Sequence, residues 1–241
     1  MNPPIYEPKG AAKEYGDLAL NIYTGCPHGC YYCFAPNALH KTKEAFSTNV
    51  QAREGIVEAV KKQLDKEKPT GKLIHLCFTC DPYPMGVDSA ATRYIIRLLK
   101  ETGNNVQILT KNGAGAQRDF DLLDENDWFG VTYAGYKSSQ VVPPKEEPNA
   151  GWTIDRFRAL ILAKNKGIKT WVSCEPVFNE DAIYRLIETG DYIDRFKIGK
   201  LNYHPSDITW GGFGRKCERL CKKYNRDYYI KDGLRKAMQD G

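Results

Sequence analysis

The stretch NIYTGCPHGCYYCFAP, residues 21–36, places Cys26, Cys30 and Cys33 at spacings of x3 and x2, directly behind the apolar run of residues 18–23. Three thiolates within eight residues can reach one metal centre, and Gly25, Pro27 and Gly29 permit the tight wrap that turns three sulfurs inward. Structural zinc takes four closed protein ligands, commonly as two separated Cys-x2-Cys pairs, and this loop has no partner pair. A four-iron cluster on three cysteines leaves one iron without a protein ligand, open to bind and activate a small molecule. The competing reading is three buried cysteines with no ligand at all.

Outward from this loop, short apolar runs alternate with amphipathic stretches. Strands are expected at residues 18–23, 73–78, 106–110, 128–132, 169–173 and 192–198, and helices at 48–66, 89–101, 117–123, 153–165 and 181–188. Gly103 and Gly167 mark helix stops. Six strands, each followed by a helix, predict an α/β fold with a parallel sheet wound by right-handed crossovers. Residues 136–151, with Pro143, Pro144 and Pro148, form one excursion between the fourth strand and its helix. Loops behind parallel strands gather on one face, where chemistry collects. Residues 25–34, 79–85, 110–112, 132–135 and 174–177 all fall there, which points to an enzyme.

Composition narrows the class. With 241 residues, 41% hydrophobic and 27% charged, the chain suits one barrel-sized domain, and no apolar run approaches the roughly 20 residues of a membrane span. The opening MNPPIYEPKG has no apolar signal core, so the cytoplasm is the expected location. Eight cysteines are far too few for a disulfide scaffold. Net charge is +5, and residues 213–241, with nine basic and four acidic residues, carry all of it. That tail suits contact with nucleic acid or another polyanion, or is simply a solvated helix face. Residues 1–212 are expected to form the barrel core, and 213–241 a short basic, helical C-terminal extension packed on it.

The Cys-x3-Cys-x2-Cys loop resembles that of the radical S-adenosylmethionine (SAM) superfamily. FTCDPYP, the helix opening ATRYIIRLL and VQILTKNGAGAQRDFDLL bring the likeness closer to its spore photoproduct lyase-like branch, from about residue 21 to 203. The resemblance implies a partial (β/α)6 barrel and a [4Fe-4S] cluster on Cys26, Cys30 and Cys33. It implies reductive cleavage of SAM to a 5′-deoxyadenosyl radical that abstracts hydrogen from a substrate, with a nucleic acid or nucleotide, DNA or RNA, as candidate. It further implies Tyr32 near the adenine, Asp81, Lys111 and Thr132 on the SAM aminocarboxylate or ribose, and an electron donor such as flavodoxin or ferredoxin. Spore photoproduct lyases are longer and carry a hydrogen-donor cysteine near the second strand. Cys77 and Cys80 are the candidates for that catalytic role, each one residue out of register.

Other residues carry weaker signals. Alternation along a strand would send Cys77 and Cys80 to opposite faces. Cys217 and Cys221 share a helix face and, with Cys174, hold either a second cluster or plain core. None of His28, His40, His75 and His204 stands at a recognisable spacing from a carboxylate. Glu175 and Asn202 lie on the expected active face, either as substrate contacts or as turn residues. Tyr224, Tyr228 and Tyr229 either stack bases or pack the terminal helix. The rival function is a non-catalytic nucleic-acid-binding Fe–S or zinc module, distinguished by whether reduced protein cleaves SAM.

Overall fold

The computed structural model describes residues 3–136 and 145–240. Seven strands form one all-parallel sheet in sequence order: β1 Leu18–Leu20, β2 Leu73–Leu76, β3 Asn105–Thr110, β4 Trp128–Thr132, β5 Lys169–Cys174, β6 Arg195–Ile198 and β7 Asp227–Ile230. The main crossover helices are α3 Ile56–Glu67, α4 Ala90–Glu101, α6 Thr153–Asn165, α7 Glu180–Thr189 and α8 Trp210–Lys223, with α9 Asp232–Gln239 after β7. Short helices α1 Ala35–Ala38, α2 Lys43–Ser47 and α5 Gly113–Ala116 lie in the strand-end loops. The sheet is an open partial barrel whose edges are β1 and β7.

Apolar residues on the outer side of the strands pack against the helices. Ile74, Leu76, Val106, Ile108, Phe129, Val131, Val172 and Phe196 belong to one buried cluster with Val60, Leu64, Ile95, Ile96, Leu99, Ala159 and Ile187. At about 25 cal/mol per Å² of apolar surface buried, this layer is the main driving force for winding the sheet. Between β1 and β7 lies the N-terminal segment. Tyr6 makes an antiparallel bridge with Ala19, and Tyr15 enters the barrel lumen against His75, Phe78 and Trp171. Gly130 is required there: a Cβ would sit 2.2 Å from Trp171 Nε1, which crosses β4 to donate to the Ile108 carbonyl at 3.0 Å.

Several expectations change. The helix expected from residue 48 begins at Ile56, after Gly55 in a left-handed turn at φ 63°. The stretch 117–123 folds as a 3-10 turn, Gln117–Leu122, after α5. The tail is a helix, a strand and a helix rather than purely helical, and α8 begins at Trp210, ahead of the expected boundary at 212/213. β7 is only four residues long between charged neighbours, so its pattern is no stronger than a turn's until β6 offers it a partner. Residues 137–144 of the expected excursion, including Pro143 and Pro144, lie outside the described residues.

Candidate active site

β1 stops at Leu20 because Asn21 turns its side chain across the sheet end, where Oδ1 accepts from the Phe78 and Thr79 amides at 2.8 and 2.9 Å. The cysteine loop follows. A Cβ on Gly25 would lie 2.0 Å from the Phe46 carbonyl oxygen, which accepts from the Cys26 amide at 3.1 Å, so only glycine lets the loop press onto α2. Cys26, Cys30 and Cys33 are free and half-buried. Burial pushes Cys30 up to about 12 against the pull of Lys111, and burial together with Asp81 pushes Cys26 well up. Burial thus favours the protonated thiol at Cys26 and Cys30, and a metal would displace those protons. Among the described residues no three His, Cys, Asp or Glu side chains are grouped as ligands of a single ion. A multi-iron cluster engages each thiolate on a separate iron, so it does not require convergence on one point.

Asp81, at the end of β2, organises the neighbouring strand ends. Its Oδ1 accepts from Thr110 Oγ1 at 2.6 Å and the Tyr83 amide at 2.8 Å, and its Oδ2 from the Lys111 amide at 2.8 Å. Its Oδ2 also faces His28 Nδ1 at 3.6 Å. His28 Nε2 accepts from the Met85 amide at 3.2 Å, so the proton belongs on Nδ1, toward Asp81. Burial lowers the pKa of His28 and keeps the ring neutral. This His–carboxylate pair was hidden in the sequence because 53 residues separate its members. Asp81 is thus engaged within the chain rather than free for a ligand.

Lys111 stands on the turn after β3, with Nζ 5.7 Å from the centre of the Tyr32 ring. Burial would lower its pKa, but Cys30 where it is ionised, and the Glu147 carboxylate, raise it, so the side chain is a cation. Thr132, the last residue of β4, is buried and gives its carbonyl to Arg156 Nη1 at 3.0 Å. Arg156 and Glu147 escaped the sequence reading. Both are buried; Arg156 Nη2 donates to Glu147 Oε2 at 2.6 Å, and the Tyr32 hydroxyl donates to Glu147 Oε1. Burial works to raise the Glu147 pKa, yet Arg156 and Lys111 hold it below the usual carboxylate value. An Arg and a Glu nine residues apart across a proline-bearing excursion carry no local signal.

Cys77 and Cys80 do not alternate. β2 ends at Leu76, Cys77 takes φ 70°, and Cys80 Sγ accepts from the Tyr23 amide at 3.4 Å. Burial and the neighbouring Cys80 push Cys77 up; for Cys80, Cys77 and the backbone around Tyr23 outweigh burial and lower it. Cys174, Cys217 and Cys221 are fully buried in the apolar cluster, and burial pushes all three up, Cys221 to about 12. They pack as core thiols among apolar side chains.

Glu175 and Asn202 do meet, Nδ2 to Oε1 at 3.1 Å, and Lys231 pairs with the same carboxylate at the mouth of the lumen. Deeper, Lys197 Nζ donates to the Glu14 and Tyr15 carbonyls at 3.0 and 3.3 Å, and burial lowers its pKa to about 8. Three of the nine basic tail residues are committed to structure. Lys231 is in the lumen, Arg215 donates to the Met238 carbonyl at 2.9 Å, and Arg226 to the Ile187 and Glu188 carbonyls at 3.0 and 3.1 Å. Tyr228 and Tyr229 bond Glu218 and Glu14 and serve packing. Lys216, Arg219, Lys222, Lys223, Arg235 and Lys236 remain exposed. A cavity of about 700 Å³ opens beside Tyr31 and Phe178 and is lined by Lys216 and Arg219 as well as Asp181 and Asp207. No described helix is long and apolar enough to cross a membrane.

Known proteins share this arrangement. The chain is similar to spore photoproduct lyase complexed with dinucleoside spore photoproduct, at 13% identity and TM-score 0.66, over 93% of this chain and 79% of that one. It is similar to Streptococcus suis SuiB bound to S-adenosylmethionine, at 14% identity and TM-score 0.65, over 92% of this chain and 52% of that one. At such identities these likenesses establish the fold. An uncharacterized protein, ORF301 of Acidianus two-tailed virus, is 28% identical over 202 residues, which are 74% of this chain and 64% of that protein. The sequence model of the radical SAM superfamily matches residues 20–177, from the end of β1 through the cysteine loop to the turn after β5, and the chain belongs to that superfamily.

Proposed function

We propose that the chain uses a [4Fe-4S] cluster held by Cys26, Cys30 and Cys33 to cleave SAM reductively and abstract hydrogen from a nucleic acid or nucleotide. The observation that carries this reading is the cation of Lys111 beside Tyr32, one residue from the last cysteine of the loop. When bound, the cluster supplies an open iron for the SAM amino and carboxylate groups and an electron that releases a 5′-deoxyadenosyl radical.

The chain's own residues do the rest. Lys111 Nζ pairs with the SAM carboxylate, a charge-assisted bond of about 1.5–3 kcal/mol. The Tyr32 ring, fixed at its hydroxyl by Glu147, offers a flat face to the adenine. Thr132 lines the ribose side at the end of β4. Asp81 works as a positioning residue, since its oxygens fix the Lys111 and Tyr83 amides and the Thr110 hydroxyl. Cys80, with Cys77 against it, is the hydrogen-donor candidate. The electron comes from an external one-electron donor such as flavodoxin or ferredoxin.

The nucleic-acid reading is supported by half-exposed Tyr31, an aromatic surface for a base, and by Lys216 and Arg219 across the same cavity for phosphates. A base within a duplex would have to be extruded to reach this mouth, which favours single-stranded, damaged or free nucleotide substrates. The test is anaerobic reconstitution with iron and sulfide, reduction, and measurement of 5′-deoxyadenosine from SAM. Its formation by wild type and its absence with Cys30→Ala is the expected result; none from iron-loaded, reduced wild type overturns the proposal.

A further inference from the structure

Residues 146–151, in the segment between β4 and α6, grip the cysteine loop along its length. The Tyr31 amide donates to the Glu146 carbonyl at 3.2 Å. Asn149 donates twice, from its amide to the His28 carbonyl and from Nδ2 to the Pro27 carbonyl, each at 3.1 Å. The Tyr32 hydroxyl donates to Glu147. Gly29, at φ 68°, faces the same segment, where a Cβ would come within 3.2 Å of Asn149 Nδ2 and 3.4 Å of Pro148 Cγ. The Gly151 amide donates to the Lys111 carbonyl at 2.9 Å, so one segment touches both the cysteine loop and the turn that carries the cation.

Glu147 is the centre of this grip. Its carboxylate is fully buried, and Arg156 answers its charge while also fixing the Thr132 and Gly151 carbonyls. A buried carboxylate costs several kcal/mol unless paired and hydrogen-bonded, and this one receives a guanidinium and a phenol. The start of the loop is tied to residues 46–53 through the Tyr23–Ala52 bridge and the Thr24 and Cys26 amides, but from Pro27 to Phe34 it has neither helix nor strand to hold its shape. Ordering such a loop at the moment of binding would cost affinity, and external hydrogen bonds reduce that cost.

We propose that residues 146–151 are a clasp, with Glu147 as its positioning residue, that holds the cysteine loop in its ligating shape before metal or SAM arrives and so sets SAM affinity. This rests on the loop being the cluster site. The clasp explains why the fold keeps a buried ion pair outside the set of residues that face the ligand: the pair anchors the loop's aromatic end to β4 and α6. It also makes the β4–α6 segment a control point over SAM binding from outside the binding face.

The test is hydrogen–deuterium exchange of metal-free protein, reading peptides over residues 26–36, in wild type, Tyr32→Phe, Asn149→Ala and Glu147→Gln. Tyr32→Phe leaves the Glu147–Arg156 pair intact, and Asn149→Ala alters no residue assigned to SAM, so both should keep the fold. Loop exchange should quicken about tenfold, the worth of one hydrogen bond, with strand peptides unchanged. After cluster loading, Asn149→Ala should bind SAM about tenfold more weakly at equal iron content. Unchanged loop exchange in all three variants overturns the clasp, and so does faster exchange with unaltered SAM affinity. Wild type that takes up no iron overturns the cluster reading instead, and exchange on metal-free protein still decides whether residues 146–151 hold the loop.

Discussion

The backbone amide of Lys111 donates to Asp81 Oδ2 at 2.8 Å, so the carboxylate at the end of β2 sets the direction in which the lysine leaves β3. The same carboxylate holds Thr110, Tyr83 and His28. A residue that the family resemblance suggests as a ligand contact thus spends both oxygens on its own chain.

Asp81→Asn exchanges one acceptor oxygen for an NH2 group that faces donors. With the amide nitrogen toward either pair of partners, buried donors lose their acceptor, and stability should fall by about 1–3 kcal/mol. Urea unfolding of the metal-free protein measures this. A loss below about 0.3 kcal/mol would mean that the Asp81 hydrogen bonds contribute little.

Lys111→Ala should weaken SAM binding by roughly 10- to 150-fold, the equivalent of about 1.5–3 kcal/mol, while the cluster spectrum stays as in wild type. Calorimetry and absorption spectra of the reconstituted protein check the two halves. Lys111→Arg should recover part of the affinity, since it restores the charge with a different shape.

Cys30→Ala should remove the thiolate-to-iron absorption and SAM cleavage together, because three cysteines provide every protein ligand of the proposed centre. Cys217→Ala should leave iron content unchanged and instead lower stability by about 1–2 kcal/mol through the cavity it opens in the core. Iron analysis beside thermal melting separates the two roles.

Lys197 is buried with a pKa lowered to about 8 from the usual 10.5. Below pH 8 both folded and unfolded chains hold its proton, and the folded chain bears the cost of burying the charge. Between about pH 8 and 10.5 the unfolded chain binds more protons, so stability rises with pH. Relative to Lys197→Met, wild type should therefore gain about 1–3 kcal/mol across that window, read from paired urea titrations. A constant difference from pH 7 to 10.5 would place the lysine's proton elsewhere.

Arg219, Lys222 and Lys223 are exposed on α8, whereas Arg226 caps α7 and belongs to the fold. If the tail binds phosphates, replacing those three by alanine should weaken binding of labelled single-stranded DNA or RNA and flatten its salt dependence by about one unit for each phosphate no longer neutralised. Equal binding by variant and wild type would make this face a solvated one.

The sequence by itself determined the α/β class, the helix–strand alternations apart from residues 117–123, and the cysteine loop, because each rests on local spacing: thiol intervals within eight residues, and apolar periods within one element. Lys111 and Tyr32 came from the resemblance to the superfamily rather than from any spacing, and the fold brings them together at the strand ends. What only the tertiary structure decided depends on pairs remote in sequence. His28 with Asp81, Arg156 with Glu147, and Glu175 with Lys231 are held by burial, which makes an unpaired charge intolerable and so fixes partners that no spacing announces. β7 belongs to the same group, since four residues become a strand only when β6 supplies the hydrogen bonds. The basic tail shows the reverse: its charge is plain in the sequence, but the fold commits Arg215, Arg226 and Lys231 to carbonyls and a carboxylate, because unpaired helix-end carbonyls and a lumen carboxylate take donors.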